Sequence, residues 1–362
     1  MRICEEIKVS GRLVLRTLHI ALVACLCGLS LFVHNAVAAN YHECVGRYEL
    51  SLPGEVDVAT TTSLVFDDAV NRNPDKYIRY PIQFPDGQQT MYSSFGFNGE
   101  FEIVRGISDA WAKAFLRKSK DVVIASKREP TADQQFIEVS TGQPNSVALS
   151  GTRVSEFDRY MNGQMIVYTA TSFEDSPEVT RKRMMNTLAS LRAREPYEIP
   201  RQAGACLPGI FVASKAANDF SDIGVTFRLK DHPDVTIFLA DRSAGDLSKM
   251  TSQQRNEFVW TSDAIGRVIH LHGPLRYRPT MMAGRLGTAS FATVTRYDGA
   301  TDYAYLVTVQ GDPNAAVDTP DLELLVQRTA KYAAKGVPPV SGDELERIAK
   351  AVAASVKRRP FQ

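Results

Sequence analysis

The sequence predicts an α+β fold of two similar lobes, each a mostly antiparallel sheet packed by one or two helices. Two tight-turn dipeptides, Asn162-Gly163 and Asp298-Gly299, each separate a pair of apolar segments, a pattern that indicates a β-hairpin. A helical pattern follows each hairpin. Similar segments with cysteine and glycine begin the two halves, at residues 44–48 and 206–209.

The chain begins with a predicted secretory signal peptide at residues 1–39. Arg12 and Arg16 precede an apolar segment at residues 18–33, and Ala36-Val37-Ala38 fits the small-residue site that signal peptidase cleaves. The apolar segment is interrupted, and it is shorter than the about 20 residues that a membrane span requires. We therefore predict cleavage near Ala38 and an exported, periplasmic protein.

Two alternatives for this segment stay open. Leu22-Val23-Ala24-Cys25 resembles a lipoprotein cleavage box, which would place a lipid on Cys25. Lipoproteins usually become polar after this cysteine, whereas this chain stays apolar for eight more residues. The segment could also remain uncleaved as an anchor.

The composition is that of an ordinary globular protein, with 44% apolar and 23% charged residues. Cleavage after Ala38 would remove four of the 42 basic and two of the 41 acidic residues, which leaves 38 against 39. This balance gives no electrostatic basis for binding nucleic acid. The length suggests two domains, at residues 40–200 and 201–362, joined by a proline- and glycine-containing linker at residues 195–204.

Two cysteines, Cys44 and Cys206, remain after cleavage, and each stands near the start of a predicted domain. Two cysteines in an oxidising compartment usually pair. We therefore predict a disulfide between them that ties the domains together, and two buried, unpaired thiols are the alternative. Two cysteines without a Cys-x-x-Cys motif are too few for a zinc site of their own.

Local patterns predict the other elements. A helix at residues 108–117 would bury Trp111 and Phe115. Alternation at Leu322 and Leu324 indicates a strand that the first half does not have. Further strands are predicted at residues 47–52, 225–229 and 235–239.

Each hairpin leads into a helix with a start signal. Ser176 and Pro177 are suited to the N-cap and the first turn of one helix. Ser341 and Glu344 form a capping-box pattern at the start of the other. The core-facing residues would be Met184, Leu188 and Leu191 in the first helix, and Leu345, Ile348, Ala349, Val352 and Val356 in the second.

The two helices are followed by similar segments, at residues 190–196 and 355–360. Basic residues in these segments would occupy the last helical turn and complement the helix dipole, and a proline would then end each helix.

No catalytic motif is complete in the sequence. The mature chain lacks the Gly-x-Ser-x-Gly nucleophile elbow and the glycine-rich phosphate loops. His270 and His272 would point to one face of a strand, where such a pair can bind zinc, but no third ligand stands nearby. Hydrogen-bonded or solvated histidines are the alternative. His42 and His232 lie in positions that suggest no general base.

Other polar and aromatic groups give two further hypotheses. Asp67, Asp68 and Asp302 are candidates for acid–base chemistry, although acids this numerous become neighbours by chance. A mixture of aromatic, Met and Arg residues typical of protein interfaces is the second candidate, with ordinary strand packing as the alternative. That mixture lies at residues 75–80, 91–92 and 95–97.

Three segments resemble one family. Residues 44–53 resemble the opening of type VI secretion lipase-immunity proteins, the cognate inhibitors of the fourth group of type VI phospholipase effectors. Residues 198–209 are similar to that family's junction between N- and C-terminal domains. Residues 355–360 resemble its closing Ser-Leu-Arg-x-Arg-Pro, with Val356 and Lys357 where Leu and Arg would be usual.

The resemblance implies an exported protein without enzymatic activity, in the periplasm of a Gram-negative bacterium. Its expected partner is a lipase toxin, which it would block before membrane phospholipids are cut. No catalytic residue, cofactor, metal, nucleic acid or small-molecule substrate is expected, and the free protein is expected to be a monomer. The residues that contact the effector cannot be assigned from the sequence.

Two other functions stay open at this point. One is a periplasmic metal-dependent hydrolase that uses His270 and His272. The other is a non-enzymatic surface binding module. A lipase gene next to this one would favour immunity, and metal analysis of the purified protein would test the hydrolase.

Overall fold

The computed structural model describes residues 41–61, 64–66, 77–79, 82–90, 92–128, 136–171, 176–215, 219–261 and 268–360. Residues 41–362 belong to one compact unit. The predicted signal peptide, with Cys25 and Ala38, lies outside the described residues, as do Asp67 and Asp68. Across these described ranges, no helix is both long and apolar enough to span a membrane.

The first half of the chain contains two α-helices within its described residues, α1 (Asp109–Arg128) and α2 (Pro177–Ser190). Its strands are β1 (Tyr41–Val45), β2 (Tyr48–Leu52), β3 (Val56–Val58), β4 (Thr60–Thr61), β5 (Leu64–Phe66), β6 (Tyr77–Arg79), β7 (Ile82–Gln83), β8 (Ser94–Phe97), β9 (Glu100–Arg105), β10 (Ile137–Val139), β11 (Ser146–Ser150), β12 (Val154–Met161), β13 (Gln164–Thr171) and β14 (Leu191–Ala193).

The described residues of the second half also contain two helices, α3 (Ser252–Trp260) and α4 (Gly342–Ser355). Its strands are β15 (Gly204–Leu207), β16 (Ile210–Ala213), β17 (Ser221–Leu229), β18 (Val235–Arg242), β19 (Val268–Leu271), β20 (Arg278–Met282), β21 (Arg285–Thr295), β22 (Thr301–Val309), β23 (Asp321–Arg328) and β24 (Lys357–Arg358). The strands predicted at residues 47–52, 225–229 and 235–239 correspond to β2, β17 and β18.

Both predicted hairpins are confirmed. Asn162 and Gly163, at φ 47° and 69°, form the two-residue turn between β12 and β13, as expected for a turn that needs positive φ at both positions. The second hairpin joins β21 to β22 through a longer loop, in which Gly299 has φ 82°. The extra strand is also confirmed, because Leu322 and Leu324 lie in β23.

The helices bury the faces that their apolar spacing predicts. In α1, Ala112 and Phe115 are buried, and Trp111 packs on the same cluster. In α4, the Ser341 hydroxyl accepts from Glu344 N at 3.2 Å, and Leu345 is fully buried. Ser176 precedes α2 as predicted, but its side chain makes no capping hydrogen bond.

The prediction for the helix ends is wrong. Helices α2 and α4 have no basic residue in the last turn. Leu191 and Val356 turn extended instead, at ψ 127° and 125°, and the basic residues fall in β14 and β24 or directly after them. Both apolar residues are buried. Burial of these side chains and strand pairing therefore outweigh the modest attraction of basic residues to a helix dipole.

One large sheet passes through both halves. Its strand order is β10-β11-β12-β13-β9-β8-β17-β18-β23-β22-β21-β19, and the pairs are antiparallel except for β4 with β9. The halves meet where β8 pairs with β17. Helices α1 and α2 pack mainly on strands of the first half, and α3 and α4 mainly on strands of the second. The α+β fold class is therefore confirmed.

The two halves exchange short elements. Strand β24, at the end of the second half, pairs with β2 at the start of the first, whereas β14 of the first half pairs with β16 of the second. Hairpin β1–β2 contacts β17, β18 and α4, and hairpin β15–β16 contacts α2. We call β1–β2 and β15–β16 the exchanged hairpins. The predicted domain boundary, between residues 200 and 201, lies between β14 and β15.

The largest apolar core draws on both halves. It includes Leu50 and Ile103 from the first half and Leu239, Leu324 and Leu345 from the second. Each half therefore completes its core with side chains from the other.

Candidate functional site

The exchanged hairpins meet at a disulfide. Cys44 and Cys206, the two cysteines predicted to pair, are bonded, with their Cα atoms 5.8 Å apart, and both are buried. Beside them, Gly46 N donates to Cys206 O and Cys206 N donates to Gly46 O, each at 2.8 Å. The hairpins are thus joined both covalently and by backbone hydrogen bonds.

A buried ion pair holds the first hairpin to the second half. Arg47 in the β1–β2 turn places Nη2 at 2.6 Å and Nε at 2.8 Å from the Asp241 carboxylate, which also accepts from Arg47 N. Burial lowers the pKa of Arg47, but the attraction of Asp241 outweighs it and raises this pKa overall. A Cβ on Gly46 would overlap the Asp241 carboxylate.

Two further buried arginines follow α2 and α4 at matching positions. Arg194 Nη1 lies 2.9 Å from Glu43 Oε2, and Glu43 Oε1 accepts from Tyr197 N at 2.9 Å. Arg359 instead donates to backbone carbonyls, including Pro200 O at 2.7 Å. Burial, with repulsion from Arg194, lowers the pKa of Arg359 to about 10. These arginines satisfy the linker backbone and fix the centre of the molecule.

A fourth arginine, Arg105, differs from these because it has no partner among the residues that the structure describes. It stands at the end of β9, opposite Gln164 of β13. No acceptor within the described residues bonds the Arg105 guanidinium, and its Nε is buried. Gln164 Nε2 donates to Gly209 O at 3.3 Å, whereas Gln164 Oε1 is buried and receives no hydrogen bond from the described part of the chain. Burial, together with repulsion from Arg194, lowers the pKa of Arg105 to about 10.

The two histidines lie on one edge of the sheet. His270 belongs to β19 and His272 follows it, with ring centroids 5.5 Å apart. His272 Nε2 is 2.6 Å from Thr293 Oγ1, and its ring packs on Phe291. In the part of the chain that the structure describes, no group of three or more His, Cys, Asp or Glu side chains could hold a metal. The hydrogen-bonded alternative describes His272.

Asp302 is embedded in an ion-pair network. It is fully buried, and its Oδ2 lies 2.7 Å from Arg296 Nη1. Its Oδ1 accepts from Ala330 N at 2.7 Å and lies 3.6 Å from Arg328 Nη1. This carboxylate is out of reach of a substrate and stabilises the β22–β23 region.

Within the described residues, the mixture of aromatic, Met and Arg residues packs as part of the strands, as the alternative interpretation expects. Phe95 and Phe97 are buried in the main core. Tyr92 packs on Phe238 with ring centroids 5.9 Å apart, and burial raises the pKa of Tyr92. These side chains are therefore not a partner surface. Asp75, Met91 and Tyr80 lie outside the described residues.

A groove of about 620 Å³ opens on the surface of the second half. The start of α3 forms one wall and hairpin β20–β21 another. The volume falls in the range of ligand and peptide sites. The lining residues are Thr251, Ser252, Gln253, Tyr277, Arg278, Pro279, Leu286, Gly287, Thr288, Gln310, Gly311, Asp312 and Thr319.

Large apolar side chains stand exposed on hairpin β20–β21, and one of them, Leu286, lines this groove. Met281 is 55% exposed and Leu286 is 69% exposed. They are direct partners in the β20–β21 register, so both project from the same face. Leu275, in the loop before β20, is also exposed, whereas Met282 faces the core. We call the surface formed by Met281, Leu286 and the groove the hairpin face.

Neither the hairpin face nor Arg105 could be identified from the sequence. The residues Ala283 and Gly284, at φ 54° and 71°, form the turn of β20–β21, and the dipeptide is not one of the strong hairpin signals. Side chains on either side of that turn alternate between the two faces of the hairpin, but the sequence does not show which face remains exposed to solvent. Whether Arg105 has a partner depends on how β9, β13 and the β15–β16 turn pack together, and these three segments are far apart in sequence.

The described residues thus offer surfaces for binding rather than an assembled catalytic group. The comparisons with known proteins agree. A family model described as the Tle cognate immunity protein 4 C-terminal domain matches residues 198–361, and the match begins at the predicted junction. A search of curated proteins gives no match.

Solved structures share the fold across most of the chain. The apo structure of the T6SS immunity protein TplEi from Pseudomonas aeruginosa and the crystal structure of a Tle4–Tli4 complex each align with TM-score 0.59 and 15% identity, over 89% of this chain and 98% of theirs. TplEi complexed with "L" peptide aligns with TM-score 0.57 and 14% identity, over 89% and 99%. At such identities the likeness establishes the fold.

The family resemblance found in the sequence is therefore confirmed. Residues 198–361 match the model of the Tle cognate immunity protein 4 C-terminal domain, and the chain as a whole shares the fold of solved type VI secretion immunity proteins.

Proposed function

We propose that this protein is a periplasmic immunity protein that binds a Tle4-type phospholipase effector of type VI secretion and blocks its activity. The observation that carries the proposal is the family match of residues 198–361. A fold shared with a solved Tle4–Tli4 complex over 89% of the chain supports it. The protein then acts by occupying the effector and turns over no substrate.

The hairpin face is the contact that we assign to the second half. Leaving two large apolar side chains in water forfeits about 25 cal/mol for every Å² of apolar surface, which a bound partner recovers. Met281 and Leu286 sit on a hydrogen-bonded hairpin beside a concave groove. Apolar anchors on a rigid element next to a pocket are typical of the energetic centre of an interface.

Substitutions on this face test the assignment. Met281→Asp and Leu286→Asp should leave folding intact, because both side chains are exposed. Each should weaken effector binding about tenfold or more, the effect of losing an interface anchor. Tyr297→Asp is the matched control, since Tyr297 is equally exposed on another loop of the same half. Unchanged affinity in both hairpin-face variants would move the contact elsewhere.

Export supports the same proposal. The predicted signal peptide would deliver the protein to the periplasm, where a disulfide such as Cys44–Cys206 persists. N-terminal mass spectrometry of the exported protein should give a chain that begins at Ala39. Thiol titration under denaturing, non-reducing conditions should find no free cysteine. A lipid on Cys25 would contradict the predicted cleavage site. Two titratable thiols would contradict the disulfide.

The hydrolase alternative has a direct test. His270→Ala combined with His272→Ala should leave protection of cells unchanged, because His272 is already bonded to Thr293 and lacks the surroundings of a metal ligand among the described residues. Stoichiometric zinc in the wild-type protein, together with loss of protection in the double variant, would favour the metal-dependent enzyme instead.

Complex formation tests the proposal as a whole. The mature protein should co-elute on size exclusion with the Tle4-type lipase of the same organism. The affinity should be nanomolar or better, which corresponds to about −12 kcal/mol. A protein that engages the effector with both halves can bury more than the roughly 1,600 Å² of a standard interface. Separate elution at micromolar concentrations would argue against the assignment.

A further inference from the structure

Arg105 presents a cation without an anion in the described part of the chain. Its side chain is partly buried at the end of β9, and no nitrogen of its guanidinium group donates to an acceptor among the described residues. Arg47, Arg194 and Arg359 each donate to carboxylates or carbonyls. Buried guanidinium groups normally find such acceptors, so Arg105 departs from the pattern of these three.

The surroundings of Arg105 supply no compensating charge within the described ranges. The charged groups that act on it are Arg194 and Glu43. Glu43 is already engaged by Arg194 Nη1 and by Tyr197 N, each at 2.9 Å. Two guanidinium groups therefore lie near one carboxylate, and Arg194 is the one that pairs with it. An excess of positive charge remains at Arg105.

The unsatisfied atoms lie together near the surface. Gln164, directly across from Arg105, has a buried Oε1 that receives no hydrogen bond within the described ranges. Gly209 closes one side, since a Cβ there would lie 2.8 Å from Arg105 Nη2. Gly106 N donates to Gly163 O on the adjoining turn, and Gly106 is exposed. The group formed by Arg105, Gln164 and Gly209, named the Arg105 site, is thus bordered by exposed backbone.

We infer that the Arg105 site receives a carboxylate of the bound effector, so that an Asp or Glu side chain of the partner pairs with the Arg105 guanidinium. Gln164 Nε2 stays on Gly209 O, so the Arg105 guanidinium is the donor that the carboxylate meets. This inference rests on the proposed function and adds to it a polar contact on the first half, separate from the apolar hairpin face on the second.

A carboxylate carried by a protein suits this site better than a free anion. A single guanidinium near the surface attracts a dissolved ion only weakly. Once the effector is docked through other contacts, its carboxylate is held at high effective concentration.

The site predicts an unusual combination of effects on substitution. Arg105→Met removes an unpaired, partly buried charge, so the thermal midpoint of the free protein should stay unchanged or rise. Loss of a desolvated charge pair at the interface should weaken binding of the Tle4-type lipase by about 30-fold or more. Arg105→Lys keeps the charge but not the planar guanidinium group. Its affinity for the effector should therefore lie between those of the wild-type protein and Arg105→Met.

Arg159→Met is the matched control. Arg159 Nη1 donates to Leu188 O at 3.3 Å and to Leu191 O at 3.2 Å at the end of α2. Its loss should lower the thermal midpoint and leave the affinity of the folded protein unchanged. The two variants therefore separate a binding arginine from a structural one in the same half.

Charge reversal identifies the partner group. Arg105→Glu should abolish tight binding, and one Asp→Lys or Glu→Lys variant from a panel of effector variants should restore it. Wild-type affinity of Arg105→Met, or a fall in its thermal midpoint that accounts for the lost binding, would overturn the inference while the proposed function stands. Failure of the wild-type protein to bind the lipase would overturn the proposed function and this inference together.

Discussion

At the residue scale, charge is distributed unevenly between the centre and the surface. Asp241 is fully buried and bonded three ways to Arg47. Lys230 and Glu55 form an ion pair of similar length, 2.9 Å, with both side chains near half exposed. Because desolvation decides what an ion pair contributes, the two pairs should respond very differently when one member is removed.

Asp241→Ala should lower the free energy of unfolding by about 3–5 kcal/mol, since it strands the buried Arg47 charge. Glu55→Ala, the exposed control, should cost less than about 1 kcal/mol. Guanidinium unfolding of the mature protein measures both. Equal small losses in the two variants would show that the buried pair does not hold the first hairpin in place.

Tyr168 gives the protein a predictable alkaline sensitivity. Burial raises the pKa of Tyr168 to about 12, against about 10 for an unperturbed tyrosine. Between pH 10 and 12 the folded state therefore keeps a proton that the unfolded state has lost. The stability that this group contributes is complete below pH 10 and falls as pH rises.

Tyr168→Phe should remove about 2–3 kcal/mol from the decline in unfolding free energy between pH 10 and 12. The variant also loses the hydrogen bond from Tyr168 Oη to Asn98 O at 2.5 Å, so it should be less stable at neutral pH. Urea midpoints across this pH range measure the slope, with exposed Tyr297→Phe as control. An identical decline in all three proteins would contradict the assignment.

At the element scale, the sequence predicts turns, but it does not predict how the turns and helix ends pack against distant parts of the chain. The Asn162-Gly163 hairpin follows from turn chemistry alone, because the two residues tolerate the required φ angles. The predicted helix ends were wrong because the residues that follow the helices, Leu191 and Val356, gain more from burial on extended backbone. Gly46 shows the same limit, since its need to be glycine comes from Asp241, far away in sequence.

Gly46→Ala should therefore destabilise the protein more than the same change at a turn glycine in open space. Gly46 combines φ 55° with overlap against Asp241, whereas Gly299 has φ 82° and no atom within 4 Å of the position that a Cβ would take. Gly299→Ala should cost about 1–2 kcal/mol from backbone strain, and Gly46→Ala at least about 2 kcal/mol beyond that. Comparable losses in chemical denaturation would contradict this account of the β1–β2 turn.

At the scale of the whole molecule, the sequence predicted two related halves but not their exchange. Each half has a short strand after a helix and a hairpin before the large sheet. Local sequence patterns therefore fit pairing of that strand within its own half as well as pairing with the hairpin of the other half. The structure pairs β24 with β2 and β14 with β16 across the halves. For the same reason, the hairpin face and the Arg105 site could not be predicted, since each depends on which neighbours cover a surface.

The exchange predicts that neither half folds alone. Residues 40–200 expressed without 201–362 lose β24 and the core side chains that pack around it, and the second half likewise loses β14. Each half alone should lack near-ultraviolet circular dichroism and a cooperative thermal transition. Co-expressed halves should assemble and regain both. A cooperative transition in either isolated half would show that the exchanged strands are dispensable.

Inhibition of the effector is the most direct test of the central claim. Increasing amounts of the mature protein are added to the Tle4-type lipase of the same organism, and phospholipid hydrolysis is followed at each ratio. Activity should fall linearly to baseline at one protein per lipase, as expected for tight stoichiometric binding without turnover. Full lipase activity at a several-fold excess, with no complex on size exclusion, would contradict the immunity function.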